Sequence, residues 1–392
     1  MAANWNPNQV PASADNAYIT NNGDYMVTLN ASATVASLAL GGSTGTQTFV
    51  QNANTLTLNG PSTFGSNGAF SLGGGTLGGA GSLVVNGPFT WRGGTIENTG
   101  GVTLNGTSSL DGVGTSAMAL NGGLLINAGQ LNWSGSGNNL YFYNGTLTNL
   151  AAGTLTITAD VSNSYGNGTL GNAGLLTKTA TTGTSILSMA VVNTGTIAVQ
   201  SGTISLTGSY TLTGGTLNFG INGLTNYGQI NLAGSAALTG TVSANLNNGY
   251  IPTATNVFTV LTYGSKSGIF GNTVLPFADA WQTNYTATNF SLTALNARPI
   301  IFTGTIPVKE LTTLTTNVVS DLDIPAQTLT SSLVSAPNGM SINAMTGVIT
   351  WTPAQTNSPS TNTVTVIATD DGTPPLRATN SLTVLHRVCH GQ

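Results

Sequence analysis

The stretch TWRGGTIENTGGVTLNG, Thr90–Gly106, decides the reading of most of this chain. It holds one hydrophobic residue at every second or third step, set among Gly, Thr and Asn. Short alternating segments such as GVTLNG put Val and Leu on one face and Thr on the other, as a half-buried strand requires. The Gly and Asn between them supply turns that accept positive φ. The same phrasing recurs along the chain: GGTL at Gly74, GGTI at Gly93, NGTL at Asn144 and Asn167, TGTI at Thr194, SGTI at Ser201 and GGTL at Gly214. Beside it runs a second phrase, Asn-x-Gly, at Asn98, Asn127, Asn172, Asn193 and Asn226. Units of roughly 20 residues that cannot bury their apolar face until the next unit stacks on them are the signature of a solenoid.

The expected fold is therefore all-β: a right-handed parallel β-helix with Leu, Ile and Val inward and Thr, Asn and Ser outward, where stacked Thr and Asn form ladders between rungs. An antiparallel sandwich or a propeller uses similar short strands. Irregular unit spacing and the lack of a WD- or kelch-type signature disfavour the propeller.

Composition narrows the function classes. Of 392 residues, 40% are hydrophobic and only 5% are charged, so the surface is polar without being charged. With 7 Lys+Arg against 11 Asp+Glu there is no basic patch for a phosphate backbone, and nucleic acid is excluded as an expected partner. No apolar run reaches the length of a membrane span. The single cysteine, Cys389, permits no intrachain disulfide. The opening MAANWNPNQVP has neither a basic nor an apolar leader region, while the composition is that of extracellular bacterial repeat proteins. The expected location is extracellular or on the outer cell surface, with a leader already removed and the chain part of a longer one.

Resemblance sharpens the organisation. The segment ANWNPNQVPASADNAYITNNGDYMVTLNASATVASLALGG, with Trp5, Pro11 and Asp15 ahead of the first rungs, resembles the opening of bacterial autotransporter-like β-helix proteins. The segment from GGTLNFGINGLTNYGQ to WQTNYTATNFSLTAL resembles the closing part of the same group. The resemblance implies a β-helix over residues 1–297 with a cap at about 240–297 that covers the last rung. After NARPI the language changes. The core MSINAMTGVITWTP, Met340–Pro353, resembles the Ig-like, cadherin-like domains of bacterial surface proteins, and implies a seven-stranded β-sandwich over 298–386, followed by a tail at 387–392. Two departures stand out: Ser331 replaces an aromatic, and Leu322 replaces the Pro of an acidic Asp-Pro-Asp.

In the cadherin-like group calcium is held by a Glu, an Asp-x-Asp and a late Asp. The matching positions are Glu310, Asp321, Asp323 and Asp370, so the resemblance implies Ca2+ bound by carboxylate and carbonyl oxygens in the C-terminal domain.

For the solenoid, three sets of residues carry chemistry. Arg92 and Asp111 lie about one rung apart with Glu97 around the turn; as an acid and base set they suit a polysaccharide lyase or glycoside hydrolase, and as neighbours on a turn they suit a surface ion pair. Trp133, Tyr141 and Tyr143 in LNWSGSGNNLYFYNG are candidates to stack on sugar rings of a polysaccharide or cell-surface glycan, unless one of those faces is core. GGSTG at Gly41–Gly45 has the nucleophile pattern without the strand-turn-helix setting that pattern needs, and both histidines, His386 and His390, lie at the far end. Thr-x-Thr at Thr154–Thr158 suggests an ice-binding face but lacks sustained register in the sequence. The expected function is a stalk, adhesin or passenger protein, with a carbohydrate-active enzyme and a self-assembling surface filament joined through solenoid ends as rivals.

Overall fold

The structure is a computed structural model that describes residues 5–112, 117–135, 137–212, 214–276, 280–323, 326–355 and 359–387, with backbone alone at 137–139 and 164–166. Cys389, His390, the tail beyond 387 and Asp279 lie outside the described residues. The chain divides into two compact units, one of residues 1–248, 259–274 and 285–290, the other of 249–258, 275–284 and 291–392.

The first unit is a β-solenoid of about ten turns. Every third strand pairs in parallel with the one before, giving three long sheets of ten, twelve and thirteen strands. Rung length follows from the register: Leu83 pairs with Val102, 19 residues on, whereas Ala39 pairs with Thr63, 24 residues on. Turns absorb this variation, so strands stay aligned while the sequence repeat drifts. Gly94 shows how tightly they are built, for its φ is +84° and a Cβ there would meet the backbone of Gly74 and Gly75.

Columns of inward side chains fill the solenoid interior. Phe49, Phe70 and Phe89 stack on successive rungs of the second sheet with centroids 5.8 and 5.3 Å apart, and Phe64 meets Phe70 edge-on at 5.4 Å. Beside them runs a second column, Leu72, Trp91, Leu110, Trp133, Ile157, Lys178, Val199 and Phe219, all fully buried.

Asparagine pairs on the outer face as the sequence suggests, with Asn105 Nδ2 donating to Asn86 Oδ1. Four others depart from it: Asn127, Asn149, Asn172 and Asn193 form a ladder inside, each at most 1% exposed. Each Nδ2 donates to the next Oδ1 at 2.7 Å, and also to a backbone carbonyl, Thr154, Leu175 or Thr196 in turn. Asn193, the last, donates to the Gly195 carbonyl at 3.1 Å. Three of these are the Asn-x-Gly asparagines, so the phrase marks a buried corner. Asn226 departs from it, accepting from the Ser201 hydroxyl at an exposed position.

Toward the end of the first unit, Phe270, Tyr285 and Phe290 pack together, with Tyr285 and Phe290 centroids 4.7 Å apart and Lys266 Nζ 5.2 Å from the Tyr285 ring.

The second unit contains the sandwich. One sheet has four strands in the order Thr305–Lys309, Arg377–Arg387, Ser360–Thr369, Thr330–Ser335; the other orders Leu314–Asn317, Val348–Trp351, Ser341–Ile342. A short antiparallel pair, Ile300–Ile301 with Val319–Ser320, adds Ile301 and Val319 to the core. Its core gathers Val308, Val318, Ile349, Trp351, Val364, Val366, Leu382 and Val384. His386 is inside too, beside Trp351, while Ser331 is buried with a hydroxyl that has no partner.

Candidate functional site

The three candidate sets fare differently, and position on a strand or at its end decides each case. Arg92 follows the strand Phe89–Trp91 and Asp111 follows the next strand in the same sheet, Thr107–Leu110, so the two side chains lie one above the other at a corner. They form an ion pair at 3.4 Å, 52% and 34% exposed, with Ser134 from the following rung 3.5 Å from Asp111. Such a pair contributes at most about 1 kcal/mol. Glu97 is at the other end of the strand Gly94–Ile96, at the next corner, where it accepts from Asn121 Nδ2 at 2.8 Å. The two carboxylates thus occupy different corners, and the surface ion pair describes Arg92 and Asp111.

Trp133 is corrected outright. It is 1% exposed, paired between Leu110 and Ile157 in an inward column, and no sugar reaches it. Tyr141 and Tyr143 do point outward, because Leu140 and Phe142, which alternate with them, are buried. Their rings are parallel to within 2° with centroids 6.0 Å apart, and Tyr143 is 42% exposed. Register places Ala119 beside Tyr141 and Asn121 beside Tyr143 on the preceding rung, and Glu97 one rung further along the Tyr143 column. Glu97, Asn121 and the tyrosines therefore share one outer face, a grouping the sequence did not reveal because 46 residues separate its ends.

Ser43 of GGSTG bonds Asn22 at an exposed turn, and no histidine belongs to its rung among the described residues. The Thr154 and Thr156 hydroxyls sit in the outer face of the second sheet, where Leu175 and Thr177 follow them in register.

In the sandwich the acids separate into two places. Glu310 follows the strand Thr305–Lys309, where Lys309 pairs with Arg387; Asp370 follows Ser360–Thr369, where Thr369 pairs with Arg377. These are opposite ends of one eleven-residue strand, roughly 30 Å apart at the usual rise. Glu310 is corrected: it has no part in a common site with the aspartates. Asp321, Asp323 and Asp370 do gather, with Asn296 among them. Asp370 Oδ1 accepts from Gly372 N, Leu376 N and Asn296 Nδ2 at 2.9–3.0 Å. Asp323 accepts from Ala297 N on both oxygens, and Asp321 Oδ1 from Asp323 N. Burial holds the Asp321 and Asp323 carboxyls above the usual range, and their negative neighbours push the same way.

A calcium ion suits this cluster in one respect and not yet in another. The Asp321 Oδ2, Asp370 Oδ2 and Gln327 Oε1 atoms are buried and have no partner, hard oxygens of the kind calcium takes. Yet among the described residues no three His, Cys, Asp or Glu side chains form a ready cage, since Asp323 is turned to Ala297. Asn296 itself was missed in the sequence; it is 4% exposed, bonded to Asp370, Gln327 and the Pro374 carbonyl.

Residues 293–385 match the family model described as "Putative Ig domain". The C-terminal domain is Ig-like. No curated protein matches the sequence. Among solved structures the chain is similar, over parts of its length, to a hypothetical protein of Saccharophagus degradans related to nucleoside hydrolases (15% identity, 24% of this chain and 26% of that one, TM-score 0.21). It is also similar to mouse cadherin-23 repeats 22–24 (24% identity, 26% and 36%, TM-score 0.20) and to an endo-fucoidan hydrolase of glycoside hydrolase family 107 (12% identity, 40% and 28%, TM-score 0.19). The matched part spans between about a quarter and just over a third of the length of these structures. The cap boundary drawn at 240–297 falls across both units, while the Ig-like match begins at 293.

Proposed function

We propose that this protein is an adhesive element of a bacterial cell surface, of the stalk or passenger type, in which the solenoid holds a glycan-binding strip on an outer face and the Ig-like domain takes up calcium. The observation that carries the reading is the parallel pair Tyr141 and Tyr143 standing outward on a rigid strand. Rings held by a β-ladder lose little freedom on binding, and their apolar faces stack on sugar C–H surfaces while neighbouring amides meet hydroxyls. The enzymatic rival has less support, because Glu97 and Asp111 stand at different corners instead of flanking one cleft. In the Ig-like domain Asp321, Asp370 and Gln327 would hold the calcium ion, with Asp323 joining once released from Ala297; the ion would offset the repulsion among these carboxylates and so stiffen that end of the sandwich.

The test is a panel of plant, algal and bacterial polysaccharides, scored for pull-down and for new reducing or unsaturated ends. Retention without new ends, lost in Tyr141→Ala/Tyr143→Ala, is the expected result. New chain ends released by the purified protein would replace this reading with the enzymatic one, and retention unchanged in the double variant would remove the tyrosines from it.

A further inference from the structure

We propose that the strip on the third sheet is selective for amino sugars, with Glu97 as the residue that reads the charge. This rests on the glycan-binding reading and goes beyond it by naming the ligand class.

Three observations converge. First, Glu97 is exposed, and among the described residues its carboxylate accepts from the neutral amide of Asn121 and meets no cation. Second, the nearest arginine in sequence, Arg92, is paired with Asp111 at another corner; among the described residues the ion pairs are that one and Lys178 with Asp160. The charge of Glu97 therefore stands unneutralised, on a face whose other outward members on these rungs are Thr95, Ala119, Asn121, Tyr141 and Tyr143. Third, the strip has room beside the carboxylate. Gly78 occupies the position one rung before Glu97, and a Cβ there would meet nothing within 4 Å, while Ala119 leaves the floor shallow next to Tyr141.

Geometry sets the length of what binds. Glu97 and Tyr143 are two rungs apart, about 10 Å at the usual strand spacing. A sugar ring stacked against Tyr143 therefore places its next neighbour along the column over Asn121 and Glu97. An ammonium on that second ring meets the carboxylate, with the Asn121 amide oriented by it. A uronic acid or sulfated sugar in the same place meets an uncompensated negative charge in a chain of net charge −4.

The experiment is titration of the full chain with three oligosaccharides of matched length: glucosamine oligomers, neutral cello-oligomers and oligogalacturonate. The expected order is glucosamine tightest and galacturonate weakest, with Glu97→Gln lowering glucosamine affinity two- to fivefold, the factor that an exposed charge pair of up to about 1 kcal/mol allows, and changing the affinity of the neutral oligomer by less. Raising salt narrows the difference in the parent protein and does nothing in the variant. Glu310→Gln removes the same charge from the other unit and serves as the control; an equal loss there means general attraction of polycations and overturns the proposal. Equal affinity of the parent protein for glucosamine and neutral oligomers overturns the selectivity while leaving the glycan reading in place. Failure of all three to bind overturns both. Circular dichroism of Glu97→Gln checks that the solenoid is intact.

Discussion

Asn149 donates its side-chain amide to the carboxamide oxygen of Asn172 at 2.7 Å, and both residues are shut off from solvent. Since Asn149 also accepts from Asn127, it is an interior link of the chain of amides. Replacing it by Ala leaves one buried donor and one buried acceptor unpaired. At about 1–3 kcal/mol for each orphaned group, a loss of about 2–5 kcal/mol is expected for Asn149→Ala. Asn105, whose amide meets Asn86 at the same 2.7 Å on the exposed face, provides the contrast, because water replaces the lost partner. Asn105→Ala should cost less than about 1 kcal/mol, and chemical denaturation of the two variants compares them directly.

Lys178 occupies an inward column and is wholly buried, yet its ammonium is saturated by Asp160 Oδ1, the Ala180 carbonyl and the Thr181 hydroxyl. Asp160 is partly exposed. Removing the aspartate strands a buried positive charge, so Asp160→Asn should lose about 3 kcal/mol; removing the lysine leaves a carboxylate that water can solvate, so Lys178→Met should be near neutral. A greater loss in Lys178→Met than in Asp160→Asn, measured by thermal unfolding, would contradict this account.

Hydrogen bonds from Thr181 and Lys178 hold the Asp160 carboxyl below its ordinary value. Its contribution to stability is thus present above the unfolded-state pKa of about 3.8 and is lost as pH falls through the lower folded value. In the Ig-like domain the sign is opposite. Asp321 and Asp323 are raised, so the folded sandwich binds more protons than the unfolded chain, and stability falls as pH climbs from the unfolded value through the raised ones. The sandwich in chelator should melt higher near pH 4.5 than near pH 7.5. Calcium should raise the neutral melting temperature more than the acidic one, and Asp321→Ala should abolish that response. Melting curves that coincide with and without chelator at both pH values would remove the metal.

Ser331 fills a core position with a hydroxyl that meets no partner. Ser331→Ala removes that unsatisfied group and should stabilise the sandwich by about 1 kcal/mol, seen as a rise in its melting temperature. A fall would mean that the hydroxyl is bonded in solution.

The β-solenoid and the Ig-like domain were both legible, because alternation and Gly-rich turns repeat often enough to outweigh any single rung, and because MSINAMTGVITWTP carries its family with it. Direction was harder. Trp133 shares parity with Leu131, which places both inside, but in so polar a stretch the ring read as a surface feature. Lys178 shares parity with Leu176 in the same way, and a charge there overrides the composition rule. The asparagines looked like turn formers because Asn does favour turns; only the stacking of four of them in register reveals an interior role. Glu310 matched a motif whose parts belong to opposite ends of the domain, and a linear match cannot display that separation. Glu97 and Tyr143 are neighbours only through rung register, which an irregular repeat length hides.

The amide chain also has a polarity. It begins at Asn127, whose Oδ1 finds no donor, after Leu104 on the preceding rung, and every link points the same way to Asn193. Its links join rungs of unequal length, with 22, 23 and 21 residues from one asparagine to the next. The interior therefore checks phase and not length: residues added at a turn leave the amides in line, whereas a slip of one residue within a strand would swing an asparagine to the outer face and cut the chain of amides there.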